Sequence, residues 1–254
     1  MNLKRLRHIA QVSSLLLSNL GVNLTLKTGV IYPFLHCYGC PLACGACPIG
    51  VLQNFTILRI CPLYLLGIVG VYGAFFGRTF CGWACPFGAV QDLIGGLNKK
   101  KKKLQAFPYS KFFILALLIG LSWFTFDTVF CKFCPAGSLF AALPAPFFYS
   151  EWRWSFFFNV HIATLILTII LVLLFSRFWC RYLCPFGTIG VFNRFSIITI
   201  SLDSEKCTNC LKCLDVCPME IKKVEDIGLS TDCIMCGRCV DCCPTNALKM
   251  RIRK

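Results

Sequence analysis

Cysteine is the residue type with which this chain could do chemistry, since 20 of its 254 residues are cysteines. The most regular set lies near the C-terminus, where the spacing Cx2Cx2Cx3CP occurs twice and ends at Pro218 and Pro244. In the bacterial two-cluster form of this run, three cysteines hold one [4Fe–4S] cluster and the fourth reaches across to the other. The predicted ligands of the first cluster are Cys207, Cys210, Cys213 and Cys243, and those of the second are Cys233, Cys236, Cys239 and Cys217.

The spacing of this run has a physical reason. Thiolates separated by two residues wrap a loop around one face of the cluster, and the backbone amides of that loop point at the sulfurs. Zinc is the alternative occupant of cysteine motifs, but zinc sites usually consist of paired CxxC units. The tandem run of eight cysteines therefore favours clusters. Cys242 is left over beside Cys243, and we interpret it as a spare small residue.

A second set of cysteines lies in two CxxxCP motifs, at residues 81–86 and 180–185. The prolines suit the first position of a helix, which places the preceding cysteine at the N-cap, where the helix end stabilises an anion. The two motifs together supply four thiolates, which predicts an inner membrane cluster; structural thiol pairs or a redox-active dithiol are the alternatives. The predicted inner ligands are Cys81, Cys85, Cys180 and Cys184.

A third set comes from an internal repeat, in which residues 43–50 match 130–137 just as residues 81–88 match 180–187. Both repeat units run the same way, so we expect a pseudo-two-fold axis along the membrane normal. The repeat predicts an outer membrane cluster, with disulfides as the alternative because the outer compartment is often oxidising. The predicted outer ligands are Cys44, Cys47, Cys131 and Cys134, whereas Cys37 and Cys40 have no counterpart in the repeat.

The elements that must position these cysteines are predicted membrane helices. Hydrophobic residues make up 57% of the chain and charged residues only 15%, with apolar runs at 9–31, 57–76, 112–130 and 156–175. Each run approaches the roughly 20 residues that cross a bilayer; buried helices of a soluble protein are the alternative. We therefore predict an all-α transmembrane four-helix bundle over residues 1–200, followed by an α+β bacterial-type two-cluster ferredoxin domain over 201–254.

Charge predicts the orientation of this bundle. The net charge is +15, and basic residues lie before the first span, in the run Lys99–Lys103, and at Arg177 and Arg181. With four spans, all of these lie on one side, so we expect both termini to be cytoplasmic and the protein to reside in the cytoplasmic membrane. Trp179 is predicted to lie at the inner membrane interface. We expect no nucleic-acid partner, since the basic residues accompany the spans and no nucleic-acid motif occurs.

Other redox groups have weaker support in the sequence. The three histidines do not provide facing pairs across spans, which argues against haem b. Four polar residues near the outer interface could flank a quinone, although ordinary interfacial side chains are the favoured explanation. These residues are Asp127, Glu151, Arg153 and His161.

The paired inner CxxxCP motifs, the four predicted spans and the C-terminal two-cluster run resemble the NapH/NosR-type membrane polyferredoxins, from roughly Gly77 to the C-terminus. The resemblance implies electron transfer between the quinol pool or cytoplasmic donors and extracytoplasmic reductases; a related branch serves copper-oxidase assembly. The 254 residues contain no flavin-binding extracytoplasmic domain of the NosR type, and their outer cysteines are not part of the family pattern.

We therefore expect an electron-transfer component of an oxidoreductase complex, with no residue acting as a general acid, base or nucleophile. Its expected partners are the lipid bilayer, other redox subunits and a ferredoxin or quinone. A transmembrane thiol–disulfide relay is one alternative function. A metal-reducing assembly factor for a copper oxidase is another.

Overall fold

The structure is a computed structural model and describes residues 3–19, 31–37, 47–98, 107, 109–148 and 155–253. Its α-helices are α1 (Leu3–Asn19), α2 (Pro48–Ile57), α3 (Leu63–Phe76), α4 (Thr79–Trp83), α5 (Pro86–Gly96), α6 (Ser110–Thr125), α7 (Val129–Phe133), α8 (Pro135–Gly137), α9 (Ala145–Phe148), α10 (Phe156–Leu174), α11 (Lys212–Asp215) and α12 (Arg238–Asp241). Two π-helical turns lie at Ser138–Ala142 and Trp179–Leu183, and 3-10 helices lie at Pro185–Arg194 and Val224–Asp226.

Helix α10 is the one described helix that is both long and apolar enough to cross a membrane. Helices α3 and α6 are apolar but shorter, and residues 20–30 of the first predicted span lie outside the described residues. The prediction of a continuous second span over 57–76 is wrong. Pro62 carries no amide hydrogen and Arg59 takes a left-handed conformation with φ of 56°, so α2 ends at Ile57 and α3 begins only at Leu63.

The predicted third span also ends earlier than expected. Helix α6 stops at Thr125 because its C-cap, Phe126, adopts a left-handed conformation with φ of 53°. Phe130 then belongs to the short helix α7, which packs against α10. The chain therefore turns back into the bundle where the sequence predicted the end of a span.

The C-terminal cysteine-rich region closes on a two-stranded sheet. Strand β1 (Ile198–Leu202) pairs antiparallel with β2 (Leu248–Ile252), with Ile198 opposite Ile252 and Leu202 opposite Leu248. The sheet joins the two ends of the region, and helices α11 and α12 lie between its strands in the chain. This arrangement gathers both Cx2Cx2Cx3CP runs above one small core, which includes Ile200, Ile227 and Leu248.

Candidate iron–sulfur sites

The ferredoxin cysteines gather around two small cavities. The first cavity is lined by all four cysteines predicted for one cluster, namely Cys207, Cys210, Cys213 and Cys243. The second is lined by the other predicted set, namely Cys217, Cys233, Cys236 and Cys239, together with Cys213. In each case the fourth cysteine comes from the other run. The fold thus brings together the crossed ligand sets that the spacing predicted.

Cys242 lies beside these sites without lining either cavity. Its thiol donates to the backbone carbonyl of Cys239 over 3.5 Å. Burial, followed by the neighbouring thiol of Cys243, raises the pKa of Cys242. The structure therefore gives this side chain a backbone partner, in keeping with a residue outside the ligand sets.

The four inner cysteines are buried beside one another, each with less than a tenth of its surface exposed. Cys85 and Cys184 are N-caps in the same extended conformation, with ψ of 114° and 109°, and each precedes a proline at the start of a helix. Burial and the neighbouring thiols of Cys180 and Cys81 raise the pKa of both Cys85 and Cys184. The repeat therefore does place its two CxxxCP motifs face to face.

Two hydrogen-bond donors point at the sulfurs of this inner set. The Gly88 amide donates to Cys85 Sγ over 3.3 Å, and Gln91 Nε2 donates to Cys180 Sγ over 3.1 Å. Such donors stabilise a thiolate bound to a metal cluster and influence its reduction potential. The inner site thus combines four thiols with polar hydrogens directed at them.

Two buried arginines each donate a hydrogen bond to the CxxxCP motif of the other repeat unit. Arg78 Nη2 donates to the carbonyl oxygen of Cys180 over 2.5 Å, and Arg177 Nη1 donates to that of Cys81 over 2.7 Å. Both side chains are about 1% exposed. Their charges lie next to the cysteines, where they favour an anionic, thiolate-bound group.

Each of these arginines has a carboxylate partner. Asp92 accepts two hydrogen bonds from Arg177, over 2.9 and 2.6 Å, and one from Arg7 over 2.5 Å. Burial acts to raise the pKa of Asp92, but these arginines hold it well below its usual range. Asp232 of the ferredoxin region lies 3.7 Å from Arg78 and 2.5 Å from the fully buried ammonium of Lys111. Two carboxylates thus face four positively charged side chains, so the surroundings of the inner site keep a net positive charge.

The ferredoxin region packs directly onto the inner site. Cys81 shares an apolar cluster with Met219 and Ile234, against which Cys217 and Cys236 also pack. A Cβ atom on Gly82 would collide with the carbonyl oxygen of Ile234, so this contact requires glycine. The predicted ligand loop of one ferredoxin cluster is thus in contact with a cysteine of the inner set.

Further polar contacts hold the same interface. Trp83 Nε1 donates to the carbonyl oxygen of Met235 over 2.9 Å. Asn193 Nδ2 donates to the carbonyl oxygens of Ser230 and Cys233 over 2.7 and 2.8 Å. These bonds come from both repeat units, so the ferredoxin region bridges the two halves of the inner site.

The outer motifs are described only in part, because Cys44 lies outside the described residues. Cys47 caps α2 and Cys134 caps α8, each in an extended conformation before a proline. Burial and the neighbouring thiol of Cys47 raise the pKa of both Cys131 and Cys134. The structure therefore brings together the three described members of the predicted outer set.

The outer and inner motifs approach each other through two buried rings. The ring of Phe130, next to Cys131, lies 6.2 Å from the ring of Trp179, next to Cys180. Trp179 is only 8% exposed, and its ring packs against Phe130 of α7 inside the protein.

Comparison with known proteins identifies the relatives of this chain. The 4Fe-4S binding domain family matches residues 60–105, 107–144 and 160–196, and the 4Fe-4S dicluster domain family matches residues 199–244. The first match includes both inner motifs and the outer cysteines Cys131 and Cys134. No solved structure matches the chain.

Individual relatives agree with these matches. The chain is 33% identical to an uncharacterised protein of Methanocaldococcus jannaschii, over 70% of this chain and 68% of that protein. It is 32% identical to the ferredoxin-type protein NapH of Haemophilus influenzae, over 59% of this chain and 51% of NapH. The chain belongs to the NapH/NosR-type polyferredoxins. It is also 32% identical to the putative electron transport protein YccM of Escherichia coli, over 57% of this chain and 42% of YccM.

As a member of this family, the polyferredoxin is a [4Fe–4S] electron-transfer protein. Its thiol sets fit such groups chemically, since the cysteines are gathered and polar hydrogens point at sulfurs of the inner set. Among the described residues, no three His, Cys, Asp or Glu side chains converge closely enough to hold a single metal ion. This includes the ferredoxin cysteines, whose predicted ligand sets are expected to surround a larger group.

Two of the four candidate quinone residues of the polyferredoxin have other polar partners in the described structure. Asp127 pairs with Lys132, and His161 Nδ1 lies 2.9 Å from the hydroxyl of Ser138. Glu151 and Arg153 lie outside the described residues. The quinone therefore gains no support from these side chains.

Sequence reasoning missed the charged residues around the inner site of the polyferredoxin, namely Arg78, Arg177, Asp92 and Lys111. One signal could have found the two arginines, because each stands three residues before the first cysteine of its CxxxCP motif. The carboxylate partners carry no such signal, since Asp92 is opposite Val191 in the repeat and Asp232 lies in another domain.

Proposed function

We propose that this polyferredoxin is the membrane-bound electron-transfer subunit of a redox complex, with its ferredoxin domain on the cytoplasmic side. In this proposal it connects cytoplasmic donors or acceptors with redox partners in the membrane or beyond it. A bound [4Fe–4S] cluster supplies one-electron transfer. The chain's own residues hold the cysteine sets, bury them and place them next to one another.

The observation that carries this proposal is the contact of Cys81 with the ferredoxin ligand loop. Cys81 of the inner set packs in one cluster with Met219 and Ile234, beside Cys217 and Cys236. A contact of this kind gives electrons a short path between the cytoplasmic domain and the membrane domain. A ferredoxin domain that served only soluble partners would not need its ligand cysteines against the inner site.

A second observation supports an extension of this path toward the other side of the bundle. The rings of Phe130 and Trp179 join the outer motif to the inner motif over 6.2 Å. Four clusters are proposed in all, with the eight ferredoxin cysteines, the inner set and an outer set as ligands. The bilayer core is about 30 Å thick, so an outer set that dips toward the inner one shortens the distance that electrons must cross.

The proposed membrane topology has four passes with both termini in the cytoplasm. It is supported by large apolar side chains that lie exposed on three helices, such as Leu66 on α3, Phe113 on α6 and Leu167 on α10. Exposed apolar surfaces of this extent suit contact with lipid. The proposed partners are the bilayer, other redox subunits and a ferredoxin or quinone.

Iron content of the full chain, purified without oxygen, tests this proposal. Four clusters correspond to about sixteen iron atoms per chain. Cys81→Ser should reduce the content to about twelve while the reduced-state EPR signals of the ferredoxin domain persist. Cys61→Ser is the matched control, because Cys61 is an exposed cysteine in the break before α3. It should leave both the iron content and the EPR signals unchanged.

The rival thiol relay predicts a different result. In that case the full chain should hold only about eight iron atoms, all in the ferredoxin domain. The membrane cysteines should then change between thiol and disulfide upon oxidation and reduction. That outcome would overturn the proposal of clusters within the membrane domain.

A further inference from the structure

The segment that precedes the outer motif is locked into the core. In residues 31–37, the side chains of Ile31, Phe34 and Leu35 are 5% exposed or less. Phe34 and Leu35 belong to the same apolar cluster as Ile49 of α2 and Cys134. The position of this segment is therefore set by packing, and with it the position of Cys37 at its end.

The thiol of Cys37 lies within the outer site. Its Sγ atom is 3.8 Å from the point where a Cβ of Gly137 would stand, and the Cβ of Cys134 is equally far from that point. The carbonyl oxygen of Cys131 is 3.9 Å from it. One small region thus contains atoms of three cysteines from two distant parts of the chain.

Cys47 adjoins the same region. It directly precedes α2 and packs against the apolar cluster that contains Phe34, Leu35 and Cys134. The segment that ends at Cys37 and the start of α2 at Cys47 are therefore held in one cluster with Cys134.

We propose that Cys37 is the fourth ligand of the outer iron–sulfur site, together with Cys47, Cys131 and Cys134. This inference rests on the proposed function, in which the outer motifs hold a cluster. A [4Fe–4S] cluster takes four thiolates, so Cys37 replaces Cys44 in the set that the repeat predicted. The outer site is then asymmetric, because one half provides cysteines ten residues apart and the other provides a CxxC pair.

Iron and acid-labile sulfide counts on matched variants test this assignment in the full chain, purified without oxygen. Wild type should hold about sixteen iron atoms, Cys37→Ser about twelve and Cys44→Ser about sixteen. The reduced-state EPR signals of the ferredoxin domain should be the same in all three, which shows that the variants have folded. If Cys37→Ser keeps its full iron content, or if Cys44→Ser alone loses iron, the assignment is overturned.

Thiol labelling gives a second measurement that needs no variant. N-ethylmaleimide and peptide mass spectrometry should find Cys44 labelled and Cys37 protected in the iron-loaded protein. Removal of iron with a chelator should make Cys37 reactive, which distinguishes ligation from simple burial. Labelling of Cys37 before chelation would overturn the inference. A wild-type content of about twelve iron atoms would instead remove the outer site itself, and with it that part of the proposed function.

Discussion

Arg78 and Arg177 are equivalent residues of the internal repeat, and each donates a hydrogen bond to the opposite half of the inner site. Their carboxylate partners are not equivalent. Arg177 pairs with Asp92 of α5, whereas Arg78 lies 3.7 Å from Asp232 of the ferredoxin domain. The ferredoxin domain therefore supplies a negative charge where the repeat has none, which favours docking on that half of the inner site.

The first prediction concerns Asp92, which balances Arg177 and Arg7 in a buried network. Asp92→Asn would leave two arginines at 4% exposure or less without their carboxylate. Loss of one partner from a buried ion pair costs about 3–5 kcal/mol of unfolding free energy. Thermal unfolding of the iron-loaded protein in detergent, followed by tryptophan fluorescence, should show Tm lowered by several degrees.

The matched control for Asp92 is Asp127→Asn. Asp127 also pairs with a basic residue, Lys132, but their side chains are 42% and 33% exposed. An exposed pair of this kind contributes about 0–1 kcal/mol, so Tm should hardly move. Equal effects of the two substitutions would contradict the structural role assigned to Asp92.

The second prediction concerns the contact between Gly82 and the ferredoxin domain. Gly82→Ala places a methyl group against the carbonyl oxygen of Ile234 and 3.3 Å from Cys236 Cα, so the domain must shift away. Hydrogen–deuterium exchange of the amides at 233–236 should become several-fold faster. Gly70→Ala is the control, because no heavy atom lies within 4 Å of the position that its methyl group would take, and it should leave exchange unchanged. Unaltered exchange in Gly82→Ala would disprove the close contact.

The third prediction separates Cys213 from Cys242 in the ferredoxin domain. Cys213→Ser should remove one cluster, about four iron atoms, and destabilise a small domain that depends on its metal groups for a core. Its reduced-state EPR signal should be lost. Cys242→Ala should keep all of its iron, since its thiol lines neither ligand cavity. Iron lost from Cys242→Ala but retained in Cys213→Ser would reverse the two assignments.

The fourth prediction is topological. Reporter domains fused after Lys103 and after Lys254 should both give a cytoplasmic signal, because basic residues accumulate on the cytoplasmic side of membrane proteins. A phosphatase reporter should be inactive at both positions, and a fluorescent reporter that folds only in the cytoplasm should be active. An extracytoplasmic signal at either position would exchange the inner and outer assignments.

Local spacing made part of this structure predictable. Pro86 and Pro185 predicted the helix starts that place Cys85 and Cys184 at N-caps, because proline at the first helical position depends only on neighbouring residues. The span limits were less accurate. A continuous second span was expected across Arg59 and Pro62, since hydropathy does not register a left-handed residue or a missing amide hydrogen.

Spacing along the chain was enough to predict the type of cofactor and most candidate ligands, because the spacing between cluster ligands is a local property of the chain. Which distant groups meet depends on how the chain packs. This packing paired Arg78 with Cys180, set Ile234 against Gly82, and brought Cys37 to Cys134 from nearly a hundred residues away. Such contacts arise when helices and loops pack together, and no spacing in one segment specifies a neighbour from another.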